Sequence, residues 1–336
     1  WGFNGFVVTD YTAISEMTVH GMGDLQQVSA LALNAGTDMD MVADGYVGTL
    51  EQALAESKVT LEAINRACRR ILEAKYKLGL FDDPYRYLDA KRAKKLIYTP
   101  QHRADARALA TETFVLLKNQ GGLLPLRKTG KIALIGPLAD TKANMPGTWS
   151  VAAAFNKYKS LREAMTDAVG NKAQILYAKG SNIMNDAQIE TNGSMFGREI
   201  RDSRSADEML REALDIAAKA DIIVAAMGET SEMSGESSSR SSLTIPDAQQ
   251  ALAALKQTGK PIALLNFSGR ATVMNWEDTN LDAILNVWFG GSEAGDAICD
   301  ILFGDKTPSG KLTVTMPKSV GQIPIYYNHL STGRPL

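Results

Sequence analysis

Acids that follow short apolar runs mark the places in this sequence where chemistry can be done. Asp10 ends Gly5-Phe6-Val7-Val8-Thr9 and is followed by the aromatic Tyr11; Glu229 follows IIVAAMG, with Glu232 and Glu236 further along ETSEMSGESSSR. Each run is short and β-branched or aliphatic, so it reads as a buried strand, and the acids stand past its carboxyl end. In barrels and open α/β sheets, loops converge at that end and ligands bind there. A carboxylate so placed can attack as a nucleophile or move a proton as general acid or base. Plainer roles compete: Asp10 can cap a helix beginning near Thr12, and the Glu- and Ser-rich stretch can be a solvated loop.

Spacing argues against other chemistries. His20, His102 and His329 are scattered and form no ligand motif. The cysteines, Cys68 and Cys299, fit no zinc pattern and read as inert buried thiols, Cys68 on the apolar face of a predicted helix. GDKTPSGKLT is similar to a phosphate loop, but Gly304 and Gly310 stand one residue too far apart and Leu312 replaces the magnesium-binding hydroxyl. It reads better as a turn into a strand, KLTVTMP. Neither Gly-x-Ser-x-Gly nor GxGxxG occurs.

The elements that must position these acids follow from the rest of the pattern. The 336 residues are 45% hydrophobic, enough for a large core and about two domains. Lys and Arg total 36 against 38 Asp and Glu, a net charge of −2, so no global field draws the chain to nucleic acid or an anionic membrane. No signal peptide or apolar stretch of membrane-spanning length is present, and the chain opens on Trp1, which reads as a cut; a periplasmic or secreted address stays open.

GFVVTD, a helix from Leu25 to Asn34 ended by Gly36, and TDMDMV form strand, helix, strand. Helices follow in GTLEQALAES and TLEAINRACRRILEAKYKLGL, the second with Leu61, Ile64, Cys68, Ile71, Leu72 and Leu78 on one side, Thr60 capping its start and Gly79 its end. Such βα repeats belong to a parallel sheet or barrel. Residues 81–117 are charged and read as a connection, with a helix around Ala104 to Glu112 and the run FVLLKNQ leading out of it. Beyond it, KIALIGP, AQILYAKG, DIIVAAMGE, PIALLNFSG and AILNVWFGG alternate with helical segments such as ADEMLREALDIAAKA, the mark of an open α/β domain over 118–336 with a mostly parallel sheet.

GFNGFVVTDY, AGTDMDMV, KYKLGLFDDPY, VLLKNQGGLLPL, IALIGPLAD, GESSSR, PIALLNFSGRA, FGDKTPSGKL and STGRP occur here in the order in which they occur in glycoside hydrolase family 3 β-glucosidases. The resemblance covers nearly the whole chain and is strongest to the periplasmic bacterial members. It implies a retaining, exo-acting β-glycosidase built from a (β/α)8-type barrel and an α/β sandwich. By matching motifs, Asp10 is the nucleophile, Tyr11 a wall of the sugar site and Glu236 the acid/base, while GTWS brings Ser150 and Trp149 towards substrate. Asp10 must then be ionised while Glu236 keeps its proton for the leaving oxygen, and a retaining pair works about 5–5.5 Å apart across the two domains.

No metal or organic cofactor is implied. The partners are a β-glucoside or gluco-oligosaccharide substrate and the N-terminal barrel segment, about six strands absent here, with neither nucleic acid nor membrane. Residues 1–80 would be the last part of the barrel, and the fragment alone is expected to be inactive and to leave an edge of parallel sheet uncovered. The same resemblance leaves room for a β-xylosidase, for an enzyme acting on N-acetylglucosamine, or for a carbohydrate-binding relative without activity. Glu236 disfavours the N-acetylglucosamine type, which usually draws its acid/base from a barrel His, and intact Asp10 and Glu236 disfavour an inactive relative.

Overall fold

The computed structural model describes residues 2–150, 152–192, 201–236, 238–330 and 333. Ser237 of the GESSSR motif and most of the STGRP run lie outside them. Two compact units divide the chain, residues 1–95 and 96–336.

The first unit contains α1 (Ala13–Glu16), α2 (Leu25–Ala35), α3 (Gly45–Ala55) and α4 (Leu61–Lys77). Local chemistry sets their ends. Asp24 and Gln27 form a capping box at the start of α2, and Gly36, at φ 104°, ends it. The Thr60 hydroxyl accepts from the Ala63 N–H at the start of α4, and Gly79 follows its end at φ 70°. Helix α4 buries Ala63 and Ala67 against Ala30 and Leu33 of α2 and Ala53 of α3.

The expected apolar face of α4 is therefore corrected. The inward side is the alanine side, with Ile64 of the expected face packed beside it, and Leu61, Leu72 and Leu78 stay exposed. Cys68 is exposed with them and is not a buried thiol. The strands expected in GFVVTD and TDMDMV are also reduced. They form one parallel bridge, Val8 to Met39. Val7 and Val8 remain 43% and 39% exposed because no further strand flanks them among the described residues.

A short helix, α5 (Arg92–Leu96), spans the boundary, and the second unit continues with α6 (Pro100–Thr113) and β1 (Val115–Asn119). Helix α6 lies inside the expected connection of residues 81–117 and β1 begins in it, and both pack within this unit. Arg103 pairs with Glu293 at 2.9 Å and Arg107 with Asp300 at 2.5 Å, and β1 runs antiparallel to β6.

The remaining elements are β2 (Gly130–Ile135), α7 (Leu161–Val169), β3 (Ala173–Ala178), α8 (Ala187–Asn192), α9 (Ala206–Ala218), β4 (Ile222–Gly228), α10 (Ala251–Lys256), β5 (Ile262–Phe267), α11 (Asn275–Asn280), β6 (Ala283–Asn286) and α12 (Ala294–Leu302). The six strands lie in the order β1-β6-β5-β4-β2-β3, all parallel except β1.

A sheet covered on both faces needs apolar residues on both sides of each strand. Val224 and Ala226 of β4 and Leu265 and Phe267 of β5 face one core, with α7 and α12. Ile223, Ala225 and Met227, with Ile262 and Leu264, face the other, with α9 and α10. Cys299 is buried in the first core, and burial pushes its thiol well above the ordinary range. KLTVTMP, expected as a strand, has no regular structure and pairs with nothing in the sheet.

Candidate active-site residues

Asp10 rides on a segment laced by backbone bonds to residues 38–41. Asp38 and Met39 donate to the Val7 carbonyl at 2.8 and 3.0 Å, Thr9 to the Met39 carbonyl at 3.1 Å, and Thr12 to the Met41 carbonyl at 3.0 Å. The Met41 N–H is received by the Thr9 hydroxyl at 2.9 Å. Behind this lacing lies Asp38, buried, which accepts from the Val7 N–H at 2.9 Å and from Arg70 of α4 at 3.2 Å on each oxygen.

The carrier of Asp10 is thus fixed on both sides, while its carboxylate is exposed and meets no hydrogen-bond or charge partner among the described residues. The capping alternative does not hold: the cap position of α1 is Thr12, in a left-handed conformation with no side-chain capping bond. Tyr11 is 67% exposed beside Asp10.

In the second unit the loops after β2, β4, β5 and β6 meet at the carboxyl edge of the sheet. Gly228 closes β4 at φ 129°, where a Cβ would lie 1.9 Å from the Phe267 carbonyl oxygen, so only glycine lets the two strand ends approach. The buried Gln249 amide grips Gly228 from the other side, accepting from its N–H at 2.8 Å and donating to its carbonyl at 2.7 Å.

Glu229 comes next and is fully buried. Its carboxylate receives Arg240, Arg270 at 3.1 Å, Ser234 at 2.8 Å and Ser268 at 3.2 Å. A 3-10 turn over Ser231–Ser234 follows, and Glu232 in it is also buried. Glu236 sits beyond it and is exposed, in a turn closed by Gly235 N–H to the Glu232 carbonyl at 3.0 Å and by the Ser238 hydroxyl to the same carbonyl at 2.8 Å.

The loop carrying Trp149 and Ser150 lies against this turn. The Asn144 side chain accepts from the Ser231 N–H at 2.7 Å, and a Cβ on Gly235 would come 3.3 Å from Thr148 Cγ2. Ser150 donates to the Gly147 carbonyl at 2.8 Å. Trp149 holds φ 60°, a region a bulky residue rarely adopts, with its indole 65% exposed. Strain of that kind gathers at binding sites.

Of the sequence-derived residues, the structure brings Glu236, Trp149 and Ser150 to one edge and holds Asp10 and Tyr11 together in the other unit. Sequence reasoning missed the supports, namely Asn144, Gln249, Arg240 and Arg270, although Arg240 ends GESSSR and Arg270 ends NFSGR. No cluster of three or more His, Cys, Asp or Glu able to hold a metal occurs among the described residues, nor any helix long and apolar enough to cross a membrane.

The second unit thus carries an exposed acid, Glu236, on a pinned turn at the carboxyl edge of a mostly parallel sheet, and the first unit carries another, Asp10. The chain belongs to glycoside hydrolase family 3: residues 1–74 match the glycosyl hydrolase family 3 N terminal domain and residues 114–336 the C-terminal domain. It is 44% identical over 341 residues to a periplasmic beta-glucosidase of Salmonella typhimurium, covering all of this chain and 45% of that protein. It is 33% identical to a beta-xylosidase of Formosa agariphila, over 97% of this chain and 44% of that one. The crystal structure of a beta-glucosidase from Listeria innocua in complex with glucose superposes with a TM-score of 0.85 at 33% identity, over 99% of this chain and 43% of that one. The chain thus spans under half the length of these relatives.

Proposed function

We propose that this chain is part of a retaining exo-β-glucosidase that releases glucose from the non-reducing end of β-glucosides or gluco-oligosaccharides. Asp10 attacks the anomeric carbon as Glu236 protonates the leaving oxygen; Glu236 then takes a proton from water, which releases glucose from Asp10. Tyr11 walls the sugar, and Trp149 and Ser150 contact it. Residues 1–80 belong to the barrel domain, completed by the remainder of that domain, residues 81–117 lead from it into the second unit by way of α6 and the start of β1, and residues 118–336 carry the acid/base. The Salmonella relative's name supports a periplasmic address.

The observation that carries this reading is the place of Asp10, an exposed carboxylate on a segment held by backbone hydrogen bonds to residues 38–41. A nucleophile needs a fixed line of approach to the reacting carbon. The 33% identity to the Formosa protein supports a β-xylosidase as the second reading. Asp10→Asn in the full-length protein tests the first step: folding should be retained and turnover lost by several orders of magnitude. A folded Asp10→Asn protein with near-normal turnover refutes the assignment.

A further inference from the structure

Glu229 is an acid in the right loop that the mechanism above does not use, and its surroundings explain why. A fully buried carboxylate between two guanidiniums, with side-chain exposures of 12% for Arg240 and 24% for Arg270, has both oxygens engaged and no accessible surface. Such a cluster is also a poor way to gain stability, since apolar side chains of similar volume commonly do as well or better. What it supplies is geometry. The four partners come from three places: Ser234 at the end of the 3-10 turn, Arg240 at the far end of the loop, and Ser268 with Arg270 in the loop after β5.

Each partner also grips backbone, Ser268 by donating to the Arg270 carbonyl at 2.8 Å. Arg240 donates to the Thr244 carbonyl at 3.2 Å, Arg270 to the Met233 carbonyl, and the Ser234 hydroxyl accepts from the Gly269 N–H at 3.2 Å. The loop from 229 to 240 is thereby closed on itself and tied to its neighbour, and Glu236 projects from the middle of the closed segment.

We infer that Glu229 is the positioning residue of the acid/base: its carboxylate gathers both ends of the loop and so fixes where Glu236 presents its carboxyl group. This rests on the reading of Glu236 as the acid/base. A displacement of about 1 Å in a catalytic group can cost about 10²-fold in rate, so loosening the knot should resemble a partial loss of Glu236.

The test uses the full-length protein and two β-glucosides, one with a dinitrophenyl leaving group that departs without protonation and one with an alkyl leaving group that needs it. Glu236→Ala sets the reference, a kcat/KM loss of at least about 10²-fold on the alkyl glucoside and far less on the aryl one. Ser234→Ala removes one neutral hydroxyl and leaves both ion pairs in place. It should show the same split at about 5- to 100-fold, and Ser234→Thr, which keeps the hydroxyl, should restore activity on the alkyl glucoside and remove the split. Glu229→Gln should show a larger split if it folds. Equal losses on both substrates, or no loss on the alkyl glucoside in a folded Ser234→Ala protein, overturn the positioning role. Absence of the split in Glu236→Ala overturns the acid/base reading instead.

Discussion

Arg70→Met should loosen the segment that carries Asp10 without touching it. The Asp38 side chain is 2% exposed and its charge is balanced by Arg70, 3.2 Å from each carboxylate oxygen, and by the Val7 N–H at 2.9 Å. Removing one partner of a buried pair costs about 3–5 kcal/mol because the other charge is left uncompensated. Arg70 is itself 33% exposed, so solvent screening reduces this to about 1–3 kcal/mol. Asp38→Asn removes the charge but keeps an acceptor for Val7, and should cost less, about 0.5–1.5 kcal/mol. The assay is hydrogen exchange on the full-length protein, read in a peptide spanning residues 6–12. At 1.4 kcal/mol per factor of ten, Arg70→Met should speed exchange there by about 5- to 150-fold, and adding Asp38→Asn should reverse part of the gain. Unchanged exchange in folded Arg70→Met, or a larger effect from Asp38→Asn alone, would refute the claim that this pair anchors the carrier of Asp10.

Three further outcomes are expected. Gly228→Ala forces a Cβ to 1.9 Å from the Phe267 carbonyl at a left-handed φ, which should destabilise the second unit by about 2–6 kcal/mol, seen as a lower midpoint in urea. Burial raises the half-buried Glu277 carboxyl above its ordinary 4.5. The folded state then holds that proton more tightly than the unfolded chain, so stability is present below 4.5 and is lost as pH rises towards the raised value. Glu277→Gln should therefore melt higher than the parent at about pH 7.5 and equally at about pH 3; equal melting at both would contradict this. Cys68, exposed, should react with a thiol reagent in the native protein while Cys299, buried, reacts only after unfolding.

Much of the second unit is legible in its sequence because both faces of its sheet are covered. KIALIGP, DIIVAAMGE and PIALLNFSG are apolar on every side, and they become β2, β4 and β5. GFVVTD and TDMDMV also read as strands, yet among the described residues only Val8 and Met39 pair, since a strand forms only where neighbours supply its hydrogen bonds. KLTVTMP failed for the same reason: β-branched alternation signals fitness for a sheet, not a place in one. The α4 face was misassigned because large apolar residues outweigh alanines in any periodicity count, whereas close helix packing selected Ala63 and Ala67. At the candidate site, motif order pointed to Asp10 and Glu236. The knot around Glu229 could not be read, because its partners lie up to 41 residues apart and meet only through the folded sheet.

The most direct test of the account is covalent trapping on the full-length protein. A 2-deoxy-2-fluoro-β-glucoside with a good leaving group slows release of the sugar from the nucleophile, so the glycosyl-enzyme accumulates. Intact mass should rise by one fluoroglucosyl unit, peptide mapping should place it on Asp10, and Asp10→Asn should remain unlabelled. Labelling of any other carboxylate, or hydrolysis by the parent protein with no trapped species, would contradict Asp10 as the nucleophile of a retaining β-glucosidase.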